Sequence, residues 1–182
     1  MSSGLAGPAP SPYRHAMAAD TSVIGKKTGS SRLAVERGPV SNFAKAIKDE
    51  SPIYQNVRVA VDAGFESIPA PPTFGFAMAH WGTFPENQPP PDPEADSGAV
   101  MKTIGGLMAK GGLVLHGEQE FEYHRPVVVG DVLVGEGRIT DVYEKESRGK
   151  TMTFLVSETR YTDERTGEPV LTARMNLIHR SA

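Results

Sequence analysis

The hydrophobic pattern divides the chain at about residue 112. Beyond that point, four segments alternate apolar and polar residues, as half-buried strands do, most clearly between Leu171 and Leu177. The predicted strands are 113–123, 131–144, 151–162 and 170–179. Turn residues at 147–150 and 163–168 make short links between the last three strands, so the pattern favours antiparallel hairpins.

The first part of the chain has the spacing of helices. The predicted elements are a strand at 31–36, a helix from Gly38-Pro39 to about residue 49, and short helices at 57–63 and 101–107. Between them, residues 73–82 are apolar on nearly every helical face, which is typical of a helix surrounded by other structure. The pattern predicts an α+β fold in which an antiparallel sheet curls around this helix.

The prolines mark the segments that lie outside this core. Eight of the 15 prolines fall in two short stretches, one near the N-terminus and one between residues 85 and 93. We therefore expect residues 1–24 to be a flexible leader and residues 84–98 to form a surface loop or flap. The remaining residues, 25–182, can bury one core, which predicts a single domain.

Composition excludes several classes of function. The chain has no cysteine, so thiolate metal sites and a cysteine nucleophile are ruled out. Its 19 Lys and Arg against 22 Asp and Glu give a net charge of −3 without a basic stripe, so no nucleic-acid partner is expected. No histidine pair has the spacing of a metal site, and no apolar run reaches the roughly 20 residues that span a membrane. These features predict a cytoplasmic protein with no bound metal.

Two segments carry a resemblance to a known family. Phe43 is followed by Asp49-Glu-Ser51-Pro52-Ile53-Tyr54 and, after five more residues, by Ala60. This run resembles the motif of the MaoC-like hydratases. The segment from Phe121 through Arg125-Pro126 to Gly130-Asp131 resembles a strand pair of the same family. With the prolines before the apolar helix, residues 31–179 look most like an N-terminal MaoC or FAS1-like dehydratase domain.

The resemblance implies a hot-dog fold, in which an antiparallel sheet wraps around a long central α-helix, and packing of two such domains into a dimer. It also implies reversible hydration of 2-enoyl thioesters of CoA or acyl carrier protein, without a cofactor. In this chemistry a histidine beside a carboxylate moves the proton. Backbone N–H groups at the N-terminus of the central helix polarise the thioester carbonyl.

The chain departs from the family motif at the residues that carry the proton. Asp49 falls on the position of the catalytic aspartate, but Tyr54 replaces the histidine. A phenol with a pKa near 10 is a poor base at neutral pH. The resemblance therefore favours the non-catalytic half of a heterodimer with a catalytic MaoC-like subunit, with a homodimer as the alternative. Asp49 can equally cap a turn, and Tyr54 can be a half-buried aromatic residue.

The candidate substrate-binding residues lie around the central helix. They are Pro71, Pro72, Thr73, Phe74, Gly75 and Trp81. The first five form a segment whose available backbone N–H groups would face a thioester oxygen, and Trp81 would line the acyl tunnel. The alternative is a core helix that merely begins with prolines. The predicted function is a subunit of an (R)-specific enoyl-thioester hydratase or 3-hydroxyacyl-thioester dehydratase. A non-catalytic acyl-thioester-binding module and a hot-dog thioesterase are the alternatives.

Overall fold

Five antiparallel strands form the frame of the fold in the computed structural model, which describes residues 19–182. The strands are β1 (Lys27–Ala34), β2 (Leu113–Tyr123), β3 (Val132–Ser147), β4 (Lys150–Asp163) and β5 (Pro169–Arg180). Their order across the sheet is β1-β3-β4-β5-β2, so β1 and β2 form its two edges. The four strands predicted after residue 112 are confirmed.

The first strand lies earlier in the chain than predicted. It begins at Lys27, opposite Arg138 of β3, and ends at Ala34. The apolar run that suggested a strand to Glu36 is cut short because Glu36 already occupies the position that precedes the first helix.

Four helices accompany the sheet: α1 (Arg37–Ala46), α2 (Val57–Asp62), α3 (Phe74–Trp81) and α4 (Ala99–Met108). Helix α1 ends three residues before the predicted boundary. Lys48 has a positive φ of 60°, which is incompatible with continuing a right-handed helix. The side chain of Asn56 caps α2, because its Oδ1 accepts hydrogen bonds from the N–H groups of Arg58 and Val59.

Helix α3 is the central helix, and it is short. It has eight residues, where the resemblance implied a long helix. The helix stops at Gly82, which lies against β1: the Ala34 N–H donates to the Gly82 carbonyl at 3.0 Å, and a Cβ at Gly82 would come within 2.6 Å of the Ala34 carbonyl oxygen. The expectation of burial on every face is also wrong, since Phe76 and Trp81 are 45% and 47% exposed.

A second helix covers the part of the sheet that α3 is too short to reach. Phe74 and Met78 of α3 belong to a first buried cluster. Ile104 of α4 packs in a second cluster with Ile139 and Leu155 of β3 and β4. Two helices thus divide the concave face of the sheet, and the α+β hot-dog architecture is confirmed.

The packed chain begins before the predicted domain boundary. Residues 1–18 of the predicted leader lie outside the described residues. Thr21–Val23 form a short 3-10 turn, and Val23 is buried in the second cluster. The boundary at residue 24 is therefore too late, because an apolar side chain of the predicted leader contributes to the core.

The proline-rich loop is attached to the edge strand β1. The Gln88 amide bonds Arg32 of β1 twice: Arg32 N–H donates to Gln88 Oε1, and Gln88 Nε2 donates to the Arg32 carbonyl, both at 3.0 Å. Further along, the Asp96 N–H donates to the Lys27 carbonyl at 2.9 Å. The side chain of Lys27 also pairs with Asp92 and with a neighbouring glutamate of the loop. The loop at 84–98 thus covers this edge of the sheet.

The outer face of the sheet carries a charge network centred on a buried carboxylate. Glu158 of β4 is 4% exposed and pairs with three arginines, Arg138, Arg160 and Arg174, at 2.7 to 2.9 Å. Burial opposes ionisation of Glu158, but the hydrogen bonds from the arginines outweigh it and hold its pKa below the ordinary value. The network joins β3, β4 and β5 across the face of the sheet opposite the two buried clusters.

Candidate functional site

The connection between α1 and α2 holds the residues of the family motif. Asp49 Oδ1 accepts a hydrogen bond from the Ser51 N–H at 3.0 Å, which closes a tight turn before Pro52. Its own N–H donates to the Ala44 carbonyl at the end of α1. The geometry therefore gives Asp49 the turn-capping contact that was one of its two predicted roles.

Tyr54 follows in a short 3-10 turn and is 9% exposed. Burial raises the pKa of its phenol, and the negative charge of Asp49 raises it further. The two motif residues are thus close enough to influence one another. They do so in the direction that keeps the phenol protonated, so Tyr54 has even less phenolate available to accept a proton at neutral pH than a free tyrosine.

The N-terminal turn of α3 is the second part of the predicted site. Pro71 and Phe74 are buried, while Pro72 and Thr73 lie at the surface. The Phe74 N–H donates to the Pro71 carbonyl at 2.8 Å, so this N–H is already satisfied inside the turn. Gly75 sits deeper, because a Cβ there would come within 2.9 Å of the Leu171 side chain. Its lack of a side chain lets α3 approach β5 closely.

Sequence reasoning missed Tyr123, which contacts this turn from β2. Its hydroxyl donates a hydrogen bond to the Pro72 carbonyl. Burial raises the pKa of Tyr123 to about 12, and the backbone of Gly75 acts in the opposite direction by hydrogen bonding. A phenol of this chain therefore stands beside the backbone groups that were predicted to face a thioester oxygen. The contact joins residues 51 positions apart, so no local pattern announces it.

Trp81 lies at the opposite end of α3 within an aromatic cluster. Its ring stacks on Phe74 with a centroid distance of 6.1 Å, and Phe43 of α1 packs edge-on against both rings at 5.5 and 6.4 Å. These contacts connect the aromatic residue of the family motif to the central helix. The structure thus brings the motif segment to α3 through aromatic packing.

The exposed side of α3 carries histidine and aromatic groups. Phe76 lies between His80 and His116, with ring centroids 5.7 and 5.4 Å away. His179 of β5 is buried and its Nε2 lies 2.8 Å from the Gly111 carbonyl oxygen.

Within residues 19–182, no three acidic or histidine side chains come together in a way that would hold a metal ion. No helix in the same range is long and apolar enough to cross a membrane.

Comparison with protein families gives a match over most of the chain. The family model described as "FAS1-like, dehydratase domain region" matches residues 22–173. The chain belongs to this family. The predicted MaoC-like dehydratase family is thereby confirmed, and the protein is a hydratase-like hot-dog protein.

Curated relatives of this family member cover most of its length. A UPF0336 protein of Thermobifida fusca is 34% identical over 146 residues, which are 80% of this chain and 83% of the relative. A protein of Thermomonospora curvata named "Probable enoyl-CoA hydratase alpha subunit" is 29% identical over 142 residues, 76% of this chain and 43% of that longer protein.

Solved structures confirm the hot-dog fold. The C-terminally truncated HadBC (3R-hydroxyacyl-ACP dehydratase) complex of Mycobacterium tuberculosis matches with a TM-score of 0.57 and 22% identity, over 82% of this chain and 95% of that one. The ChsH1-ChsH2 complex of the same organism matches with a TM-score of 0.63 and 20% identity, over 82% and 81%.

Proposed function

We propose that the chain is the non-catalytic subunit of an (R)-specific enoyl-thioester hydratase or 3-hydroxyacyl-thioester dehydratase. One observation carries this proposal: the position of the family histidine holds Tyr54, a buried phenol whose pKa is raised. Adding water to C3 of an enoyl thioester requires a group that accepts a proton near neutral pH. Tyr54 is protonated there, so the base comes from another subunit.

Two further observations support a heteromeric arrangement. Asp49, the other motif residue, uses its carboxylate to cap a local turn. At the N-terminal turn of α3, the Phe74 N–H donates to the Pro71 carbonyl at 2.8 Å, so it is not free to receive a thioester oxygen. The carboxylate of Asp49 and the N–H of Phe74, two groups that the reaction would use, are thus engaged in contacts within this chain.

The proposed partner is a catalytic MaoC-like hot-dog subunit. This proposal is supported by the solved structures named HadBC and ChsH1-ChsH2, which share the fold of this chain and are complexes. In the proposed assembly, the partner contributes the Asp and His pair, and this chain shapes the site that receives an acyl thioester of CoA or acyl carrier protein. The chemistry needs no cofactor, since the proton moves between side chains, water and substrate.

Hydration of crotonyl-CoA tests this proposal, followed by loss of the enoyl absorbance. We expect the isolated chain to show negligible turnover, and a mixture with a catalytic MaoC-like subunit that carries Asp and His to hydrate the substrate. Release of free CoA without loss of the double bond would instead identify a thioesterase.

A substitution at Asp49 separates a catalytic from a structural role. Asp49→Asn removes the charge and keeps an oxygen that accepts the Ser51 N–H, so we expect turnover of the assembled enzyme to change less than about threefold. Strong turnover by the isolated chain, lost in Asp49→Asn, contradicts the proposal because it would place the base in this subunit.

A further inference from the structure

Strand β2 is the edge of the sheet that lacks the cover found at β1. Among the described residues it pairs along one side only, with β5. An uncovered edge strand presents backbone groups to which another strand can add. The side chains on its outer face then decide which strand fits.

The outer face of β2 has two chemically different halves. Val114 packs on the core, so its neighbours Leu113 and Leu115 face outward and are 49% and 43% exposed. The pairing with β5 shifts at Gly117, where a Cβ would collide with the Ile178 side chain. Beyond this bulge the alternation changes face. We call Leu113 and Leu115 the leucine half.

The second half is acidic. Phe121 packs on the core, so the alternate residues face outward; these are Glu118, Glu120 and Glu122, called here the acidic half. Arg174 of β5 bonds two of the three glutamates and also the buried Glu158. The third, Glu118, is bonded by the neutral amide of Asn176 at 2.7 Å. Arg174 is therefore the one cation among the described residues that pairs with the acidic half, and three glutamates against one arginine leave this edge with a negative charge.

Symmetry makes this strand a poor match for itself. When two copies of β2 pair antiparallel about a two-fold axis, each residue lies opposite a residue of the other copy on the same face of the sheet. The two opposed residues are equally far in sequence from the residue at the axis. An axis at any residue from 118 to 122 sets at least one glutamate of the acidic half opposite a glutamate of the other copy. Directly opposed like charges destabilise a strand pair. An axis nearer Gly117 instead sets the leucine half opposite the acidic half. An axis at Val114 pairs Leu113 with Leu115 of the other copy, but it joins only the first residues of β2 and leaves the acidic half of each copy beyond the paired segment.

We infer that β2 joins a different subunit, one whose edge strand carries Lys or Arg opposite the acidic half and apolar side chains opposite Leu113 and Leu115. This rests on the proposed function in naming the partner as a second hot-dog subunit, and adds the chemistry by which that partner is recognised. The glutamates of the acidic half act as specificity determinants: they attract the basic strand and disfavour a second copy of this chain.

A charge-reversed copy of the chain serves as the probe partner. The triple variant Glu118→Lys, Glu120→Lys, Glu122→Lys is mixed with the wild-type chain, and association is followed by sedimentation velocity. We expect the mixture to associate about tenfold more tightly than either chain alone, because one to three opposed like-charge pairs, depending on the register, become opposite-charge pairs. The advantage shrinks between about 0.1 M and about 1 M NaCl, as screening shortens from roughly 10 Å to 3 Å.

Neutral variants complete the design. Replacing the three glutamates by Gln should strengthen self-association of the chain about tenfold. The matched control, Glu66→Gln with Glu86→Gln and Glu146→Gln, removes the same charge from exposed residues elsewhere and should leave self-association unchanged. Circular dichroism melting confirms that each variant folds.

The inference is overturned if the wild-type chain alone dimerises as tightly as the mixture, or if the Gln variant and its control behave alike. The measurement needs no substrate and no turnover. Failure of the hydratase proposal would therefore leave this result standing, and failure here would leave the assembled enzyme to be tested separately.

Discussion

The two edges of the sheet are treated in opposite ways. At β1, the Gln88 amide pairs with the backbone N–H and carbonyl of Arg32, as a residue of a neighbouring strand would. At β2, the described chain supplies no such cover, and Leu113 and Leu115 stay exposed. Edge strands are prone to unwanted pairing, so closing one edge leaves the other as the direction in which the sheet can be extended. This contrast is the basis on which we propose β2 as the assembly face.

The largest effect on partner binding is expected when the open edge β2 is made polar. The double substitution Leu113→Asp, Leu115→Asp should raise the Kd for the catalytic MaoC-like subunit about 100-fold, because two apolar side chains lose their burial and two charges are desolvated. Titration calorimetry measures the Kd.

Helix α2 offers a matched control for the open edge. Val57 and Val61 are 48% and 51% exposed, close to the values of the two leucines. Val57→Asp with Val61→Asp should leave the Kd within about twofold, since neither valine belongs to an edge strand. Equal losses in the two double variants would contradict the assignment of the interface to β2.

The next largest effect concerns the network that ties β2 to the rest of the outer face. Glu158→Gln should lower the free energy of unfolding by about 2–3 kcal/mol at neutral pH, because three arginines lose their shared anion. Urea unfolding followed by fluorescence measures the change. Glu136→Gln, at an exposed position on the neighbouring strand β3, is the control and should stay within about 0.5 kcal/mol.

The same variant predicts a pH dependence. The pKa of Glu158 is held below its ordinary value of 4.5 in the folded protein. Its ionised form therefore contributes fully to the free energy of unfolding above pH 4.5, and this contribution is lost as the pH falls through the folded-state pKa. The difference in unfolding free energy between wild type and Glu158→Gln should therefore shrink in acid. A difference that stays constant down to about pH 3 would show that charge is not what stabilises the network.

The smallest predicted effect is at the closed edge. Gln88→Ala removes both hydrogen bonds to Arg32 and should cost about 1 kcal/mol of stability. Hydrogen exchange should accelerate at the Arg32 amide in particular, because this N–H loses its acceptor. Asn87→Ala, one residue away and exposed, should change neither quantity. Unchanged protection of Arg32 would mean that the loop does not close this edge.

Local patterns were sufficient to predict most secondary-structure elements. The alternation around Leu171 to Leu177 marks β5 because one face of that strand is buried and the other is not. The apolar run at Phe74 to Trp81 marks α3, but it overstates the burial of that helix. Phe76 and Trp81 are exposed in the single chain, and hydrophobicity does not say whether a partner or the core covers a side chain.

Contacts between distant residues could not be predicted. Gln88 lies in a polar, proline-rich loop without periodicity, and its partner Arg32 is 56 residues away. Tyr123 reaches the α3 turn across a similar separation. The alternating glutamates from 118 to 122 are visible in the sequence, but their place at an edge follows from the strand order, which no local pattern determines.

Gln88 also limits how many molecules can join. A subunit with two open edges can add partners at both sides and grow without end, as fibrils do. In the described chain the amide of Gln88 covers one of the two edges, so the sheet has one open edge and can add one partner, which is a valence of one. The docking proposed at β2 would use that valence, and assembly through sheet edges would then stop at a pair whenever the far edge of the partner is closed.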